Sequence, residues 1–370
     1  MRVLIAPDCF GGTLSATEAA EAVGRGWRRA TPGDELMLRP LADGGPGFVD
    51  VLHGALGGTM HSPRVTGPAG DPVTARWLEH GTTGYVEAAQ ACGLHLVASG
   101  RRDATAATSR GVGELLAAVR DVGLRTAVVG LGGSASSDGG AGALAALGAV
   151  AVDAAGQPLP AGGAALVRCA RLDGRAVVDG LGLVAAADVT NPLLGRHGAA
   201  EVFGPQKGAG PEQVRALEAA LSRWADVLEE ATGRTVRGLP SAGAAGGLGA
   251  ALLGLGAERV SGAQLVAERT GLGDALDTAE LVITGEGSFD WQSLRGKLVT
   301  TLADGAAARG LPCIVLAGQV SVGRREAAAA GITAAYAAAD LAGSVQAALA
   351  DPAGTLEAVA EHAARQWGGR

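Results

Sequence analysis

Short apolar runs that end in a glycine-rich loop and lead into helical periodicity recur along this chain, and that rhythm restricts it to a layered α/β architecture. VLIAP (3–7) runs into Asp8 and a loop to Thr13. Helical spacing follows from Ser15 to Arg29, where Ser15 and Glu18 form a capping box. ELMLRPLA (35–42) runs into Asp43 and the glycines of GGPG, before a helix at 47–56. ELVITGEG (280–287) and PCIVLAG (312–318) restore the rhythm near the C-terminus. Five strands at 3–6, 36–40, 281–284, 313–317 and 332–337 are expected to form one parallel, flavodoxin-like sheet built from both chain ends. That domain takes 1–58 and 279–370, and 59–278 forms an inserted α/β domain.

Inside the insertion, 59–98 reads as short antiparallel strands with Gly/Pro turns. Helices are expected at 109–122, 139–149, 211–232 and 242–254. Strands are expected over TAVVGLGG (126–133) and LGLVAAADVT (181–190), the latter ending at Asp188. A helix at 291–309 and a final one to about 364 complete the chain. The uncharged stretch 238–257 holds Pro240 and several glycines, so it reads as a buried loop and helix rather than a membrane span.

Charge and composition exclude several function classes. The formal charge is −7 and aromatic residues are 3%, so neither a basic footprint nor base-stacking platforms for nucleic acid are present. MRVLIAPD is too short an apolar run for a signal peptide. Together with four cysteines lacking any C-x-x-C pair, this makes a cytoplasmic location the expectation. Of 30 basic residues only Lys207 and Lys297 are lysines, and both sit in Gly-flanked segments, PQKGAG and RGKLV. A compact ammonium retained in an Arg-rich chain points to contacts with phosphate or substrate oxygens.

Ligands of open parallel sheets bind beyond the C-terminal strand ends. Asp8, Asp43, Glu286 and Asp290 follow such strands, a set suited to Mg²⁺ and phosphate. GLGGSASSDGGAG (130–142) offers backbone N–H groups and the hydroxyls of Ser134, Ser136 and Ser137 to a phosphate. It is neither a Walker A loop nor a dinucleotide fingerprint. No nucleophile–His–acid pattern is visible, and His197 reads as a solvated loop residue. Carboxylates, amides and isolated lysines around Gly loops fit phosphoryl transfer, without naming the acceptor. The acids of the first domain and the Ser- and Lys-bearing turns of the insertion are expected around one triphosphate-sized cleft.

Six segments in order, APDCFGGTLSA, LADGGPG, GLGGSASSDGGAG, DVTNPLLG with FGPQKGA, GAAGGLGAAL and VITGEGSFDWQSLRGK, resemble the bacterial type I glycerate kinase family over nearly the whole chain. The resemblance implies ATP- and Mg²⁺-dependent phosphorylation of D-glycerate to 2- or 3-phosphoglycerate. Alternatives are a kinase for a related hydroxy acid and a non-catalytic paralogue that binds a small acid; homodimerisation is left open. Roles follow from chemistry at the matched positions. Asp188, Asp290 and Lys297 are expected to be catalytic. Asp8, Asp43, Gly44, Gly45, Asn191, Gln206, Lys207 and Gln292 are expected to bind substrate. Gly132, Gly133, Ser134, Ser136, Asp138 and Gly139 are expected to bind the nucleotide, and Asp43 and Glu286 the metal. Two positions depart from the pattern: a lysine of the family is Gly11 here, and a glutamate is Pro46. Arg39 or Arg295 would be the compensating cation.

Overall fold

A computed structural model of the protein describes residues 1–291, 293–294 and 298–368. The chain divides into two compact units. One comprises Met1–Ala42, Asp50–Leu56 and Val266–Arg370; the other comprises Asp43–Val49 and Gly57–Leu265.

The first unit is built on a five-stranded sheet in the order Glu35–Leu38, Arg2–Ile5, Leu281–Thr284, Cys313–Ala317, Ala334–Ala337. Every neighbouring pair is parallel. Numbered along this unit the order is 2-1-3-4-5, the flavodoxin-like arrangement, so the crossover direction reverses between the first strand and Leu281–Thr284. The strand interiors are apolar throughout: Val3, Leu4, Ile5, Val282, Ile314 and Leu316 are all buried. Helices Ala16–Ala30 and Pro352–Trp367 pack together beside them. Ser15 and Glu18 form the expected capping box at the start of the first helix. The two helices approach so closely at Gly26 that a Cβ there would lie 2.0 Å from the Glu357 carbonyl oxygen. Arg25 and Arg29 clamp the contact from outside by bonding the two oxygens of Glu357.

The second unit holds a six-stranded mixed sheet, in the order Thr59–His61, Trp77–His80, Thr83–Glu87, Thr126–Gly130, Gly182–Ala186, Glu258–Val260. The first three strands pair antiparallel, as their short polar turns suggest. From Thr83–Glu87 onward the pairing is parallel, so four strands deliver their C-terminal ends to one edge. The hairpin of Ala149–Val152 with Arg171–Gly174 has no counterpart in the sequence reading. The uncharged stretch is a set of tight turns leading into helix Leu248–Gly254, buried from Ser241 to Leu252. Gly246 has φ +68°, and a Cβ there would sit 1.9 Å from the Ser136 carbonyl oxygen, so only glycine fits. Among the described residues no helix is long and apolar enough to cross a membrane.

Helix Pro211–Thr232 shows how a loop is fastened in this unit. Glu229 Oε1 accepts the backbone N–H groups of Val236 and Arg237, and Oε2 accepts from the Arg237 guanidinium. These bonds, the Arg237 side chain foremost, hold the Glu229 carboxyl down to about 2. A depressed carboxyl stabilises the fold above its unfolded value and loses that contribution as pH falls through the folded one. Glu229→Gln is therefore expected to cost about 1–3 kcal/mol at neutral pH. The difference from wild type should fade between pH 4.5 and 2 in thermal melts.

Candidate active site

The reversal point of the first sheet opens into a cavity of about 470 Å³, a size that admits a nucleotide. Asp8 reaches it from the strand Arg2–Ile5, Glu286 and Asp290 from the loop after Leu281–Thr284, and Gly318 and Gln319 from the end of Cys313–Ala317. Short parallel pairing of Ser288–Phe289 with Gln319–Val320 pins that loop, and Phe289 is buried beneath it. Gly318 N donates to the Glu286 carbonyl at 3.1 Å, and Gln319 N to the Gly287 carbonyl at 3.1 Å. Asp290 sits in a turn closed by Ser293, whose N–H donates to the Asp290 carbonyl at 3.1 Å. Asp8 Oδ1 accepts the Cys9 N–H at 2.6 Å, and Cys9 also lines the cavity. The opposite wall is apolar, with Val345, Ala348 and Leu349. Three expected acids therefore share one hollow with an apolar side.

The acids meet the donor requirement of Mg²⁺, which takes oxygen ligands and needs only one or two carboxylates when phosphates supply the rest. Among the described residues no three His, Cys, Asp or Glu side chains gather as a metal cage. Gln292, Arg295 and Lys297 lie outside the described residues. Arg39 donates Nη1 to the Leu38 carbonyl at 2.9 Å. Gly11 lines the cavity with φ +50°, and a Cβ there would meet nothing within 4 Å.

The remaining expected residues gather at the parallel-strand edge of the second unit. The Asp43 loop and the 130–142 loop pack backbone to backbone. Gly132 N donates to the Gly44 carbonyl at 3.0 Å, and a Cβ on Gly132 would lie 2.3 Å from Gly45 Cα. Gly44, at φ +93°, faces the Ala186 carbonyl oxygen with only 2.8 Å for a Cβ. Pro46 covers Gly133. Asp43 Oδ1 accepts the Gly45 N–H at 2.9 Å. Asp188 accepts from Ser261 Oγ at 2.6 Å and from Ala263 N at 2.9 Å, which fastens the start of helix Gly262–Arg269. Asn191 Nδ2 donates to the His197 carbonyl, and His197 is exposed, as is Gln206.

The serine-rich loop turns inward. Ser134, Ser136, Ser137 and Asp138 are all buried. Asp138 is fully engaged: Oδ2 accepts from Ser109 N, Ser109 Oγ and Gly142 N, and Oδ1 from Gly140 N. Gly139 abuts Trp224, whose Nε1 donates to the Gly139 carbonyl at 2.9 Å. Lys207 is buried with its ammonium on Ser134 Oγ at 3.1 Å and the Ser136 carbonyl at 2.5 Å. Burial lowers its pKa to about 8, against smaller opposing effects of Cys92 and Asp138. Burial also pushes the Cys92 thiol up to about 12.

Sequence reasoning passed over Glu87, which is 1% exposed at a strand end. Its Oε2 accepts the N–H groups of Gly47 and Val49 and so holds the Asp43 loop. It also passed over Thr13, Ser288 and Gln319 around the first cavity.

Comparison with known proteins is consistent along the whole length. The model of the glycerate kinase family matches residues 3–368. An uncharacterized protein of Mycobacterium bovis is 48% identical, the match covering 100% of this chain and 92% of that protein. The glycerate kinase of Bacillus subtilis is 43% identical over 87% of this chain and 86% of its own. A crystal structure assigned to glycerate kinase 2 of Salmonella typhimurium superposes with a TM-score of 0.80 at 36% identity, covering 99% and 98% of the two chains.

Proposed function

Because this chain belongs to the glycerate kinase family, we propose that it transfers the γ-phosphoryl group of ATP to a hydroxyl of D-glycerate, giving 2- or 3-phosphoglycerate in the cytoplasm. The observation that carries the reading is the cavity at the reversal point of the first sheet, with Asp8, Glu286 and Asp290 on its walls. In this reading the nucleotide takes this cavity, with its base assigned to Val345 and Leu349 and its phosphates to Gly287 and Gly318, all of which line it. Asp8 and Glu286 are the donors for Mg²⁺, which neutralises phosphate oxygens when bound.

In the transfer the glycerate hydroxyl oxygen bonds to the γ-phosphorus, the bond to the bridging oxygen of ADP breaks, and the hydroxyl proton passes to Asp290. A carboxylate is a weak base, but a loose phosphoryl transition state needs orientation of the hydroxyl more than early proton removal. Asp290 is assigned this task because it lines the cavity beside Gly287, whereas Asp188 fastens Ser261 and Ala263 in the second unit. Lys297 is proposed to contact a phosphate oxygen.

A coupled ADP-release assay with D-glycerate, ATP and Mg²⁺ tests the reading, and turnover dependent on all three is expected. Release no faster than in Asp290→Asn would sink it. A second reading, a kinase for a related hydroxy acid, is favoured by Gly11, which leaves the cavity wall without the family's lysine. A substrate panel separates the two: glycerate should give the highest kcat/KM under the first reading and be clearly beaten under the second.

A further inference from the structure

A smaller cavity, of about 130 Å³, lies wholly within the second unit, and three cations stand on its walls: Arg101, Arg102 and Lys207. Two loops meet to make it. Gly208 has φ +95°, and a Cβ there would lie 2.8 Å from the Arg102 carbonyl oxygen, so the segments carrying Arg102 and Lys207 pack backbone against backbone. Lys207 is only 3% exposed. An ammonium has three donors, and the bonds to Ser134 and Ser136 use two of them. Among the described residues the third N–H has no acceptor, and none of the three cations forms an ion pair. Ala135, between the two residues that the ammonium bonds, lines the same cavity, so it is the charged end of Lys207 that meets this wall. Arg102 Nε is buried and has no hydrogen-bond partner. The wall's one carboxylate, Asp103, is engaged elsewhere, with Oδ1 accepting from Thr105 N at 2.9 Å and Thr105 Oγ1 at 2.6 Å.

Holding two cations together away from water is unfavourable unless an anion completes the site. The hollow holds the volume of roughly four waters, well below the ~300 Å³ from which drug-sized ligand sites begin. It therefore admits one small oxyanion and not a nucleotide. Three cations against one engaged carboxylate favour a doubly charged guest, and the guanidinium and ammonium are the donors that bond phosphate oxygens most strongly. We propose that this cavity is a binding site for a phosphate group, with Arg102 and Lys207 bonding its oxygens and Arg101 adding charge at the rim. The group is either the free ion or the end of a small phosphate monoester whose remainder stays outside the hollow. The site stands within one unit and does not depend on which reaction the protein catalyses.

The test is calorimetry with inorganic phosphate on the full chain, in wild type, Arg102→Gln, Arg102→Lys and Lys207→Met. Wild type should bind with a Kd at or below about 1 mM. Its melting midpoint should rise by about 5–10 °C at a hundredfold excess over that Kd, because only the folded chain holds the site. Arg102→Gln and Lys207→Met should each weaken binding about 10- to 100-fold and abolish the rise in midpoint. Arg102→Lys keeps the charge and should recover part of both. Sulfate, which does not titrate near neutrality, should bind wild type more weakly as pH rises through about 8, where Lys207 loses its proton. Cys92 and Asp138 act on that lysine, and Arg101, Arg102 and Asp103 share its cavity. In Lys207→Met the dependence should flatten.

Methyl phosphate separates the two sources. Binding as tight as that of phosphate assigns the site to a monoester, and its exclusion assigns the site to the free ion. Phosphate binding that is absent in wild type, or unchanged in Arg102→Gln, overturns the proposal. So does displacement of phosphate by chloride at equal concentration, which would make the cavity a site for any small anion. An equal loss of ATP affinity in Arg102→Gln also overturns it, since the cations would then serve the nucleotide. If Lys207→Met does not fold, the two Arg102 variants decide alone. None of these readouts needs turnover, so the result stands whether or not the chain phosphorylates glycerate.

Discussion

Asp290→Asn should lower kcat for glycerate phosphorylation by about 10²- to 10⁴-fold, the range associated with loss of a positioned acid–base group. Asparagine has nearly the shape of aspartate and leaves the Asp290–Ser293 backbone turn intact, since that turn is closed by main-chain atoms. The parallel pairing of Ser288 with Gln319 and of Phe289 with Val320 holds the loop independently of the side chain. The substitution therefore removes the proposed proton acceptor while the main-chain turn and the strand pairing stay in place. Nucleotide affinity measured by calorimetry is expected to stay within about threefold, because the proposed nucleotide contacts are with Gly287, Gly318 and the apolar wall of the cavity. Single-turnover rates should fall as far as kcat, which places the loss in the chemical step rather than in product release. A kcat within a few-fold of wild type would reduce Asp290 to a wall residue and return the role to another acid of the cavity. Asp188→Asn offers the contrast. Its carboxylate fastens Ser261 and Ala263, so about 1 kcal/mol of stability is the expected main loss.

How far these residues could be read in advance depended on whether a local signal had a single physical meaning. The strand–loop–helix rhythm has one, and the five strands of the first unit fall within two residues of their expected positions, in flavodoxin-like order. Asp8, Glu286 and Asp290 were legible for the same reason: an acid just past a parallel strand points to the edge where ligands bind. Glycine has several meanings. In sequence Gly44 and Gly45 read as substrate contacts and Gly132 as a nucleotide contact; the fold adds that they let two loops and the strand end at Ala186 approach within backbone distance. The serines of 134–137 read in sequence as hydroxyl donors to a phosphate; in the fold Ser134, Ser136 and Ser137 are buried, with Gly246 packed on Ser136 and Ser137.

Lysine carried information because it is rare here, and Lys207 does occupy a buried polar position. Arg101 and Arg102 carried none, being two arginines in a chain whose surface is built from arginine. Glu87 was silent because nothing local distinguishes it from a strand-end glutamate facing water. Only the fold places the N–H groups of Gly47 and Val49 against it.

The inward loop leads to the second large effect: Asp138→Ala is expected to destabilise the second unit by about 3–5 kcal/mol, as loss of a buried charged acceptor does. Asp138 is 1% exposed and ties together the starts of two helices. Oδ2 takes Ser109 N at 2.8 Å and Ser109 Oγ at 2.9 Å beside helix Arg110–Asp121, and Gly142 N at 3.2 Å in helix Ala141–Ala146. Oδ1 takes Gly140 N at 3.1 Å. Alanine leaves the buried N–H groups of Ser109, Gly140 and Gly142 without their acceptor. For a unit of this size the thermal midpoint should drop by roughly 6–20 °C. Asp138→Asn restores one acceptor oxygen but directs an NH₂ group at donors, so its midpoint should fall between those of alanine and wild type. The alternative, in which Asp138 meets the nucleotide or its metal, makes the opposite forecast. There Asp138→Asn would melt within about 3 °C of wild type and raise the KM for ATP severalfold. Melting curves and ATP kinetics on the same two variants distinguish a carboxylate that builds the loop from one that serves the ligand.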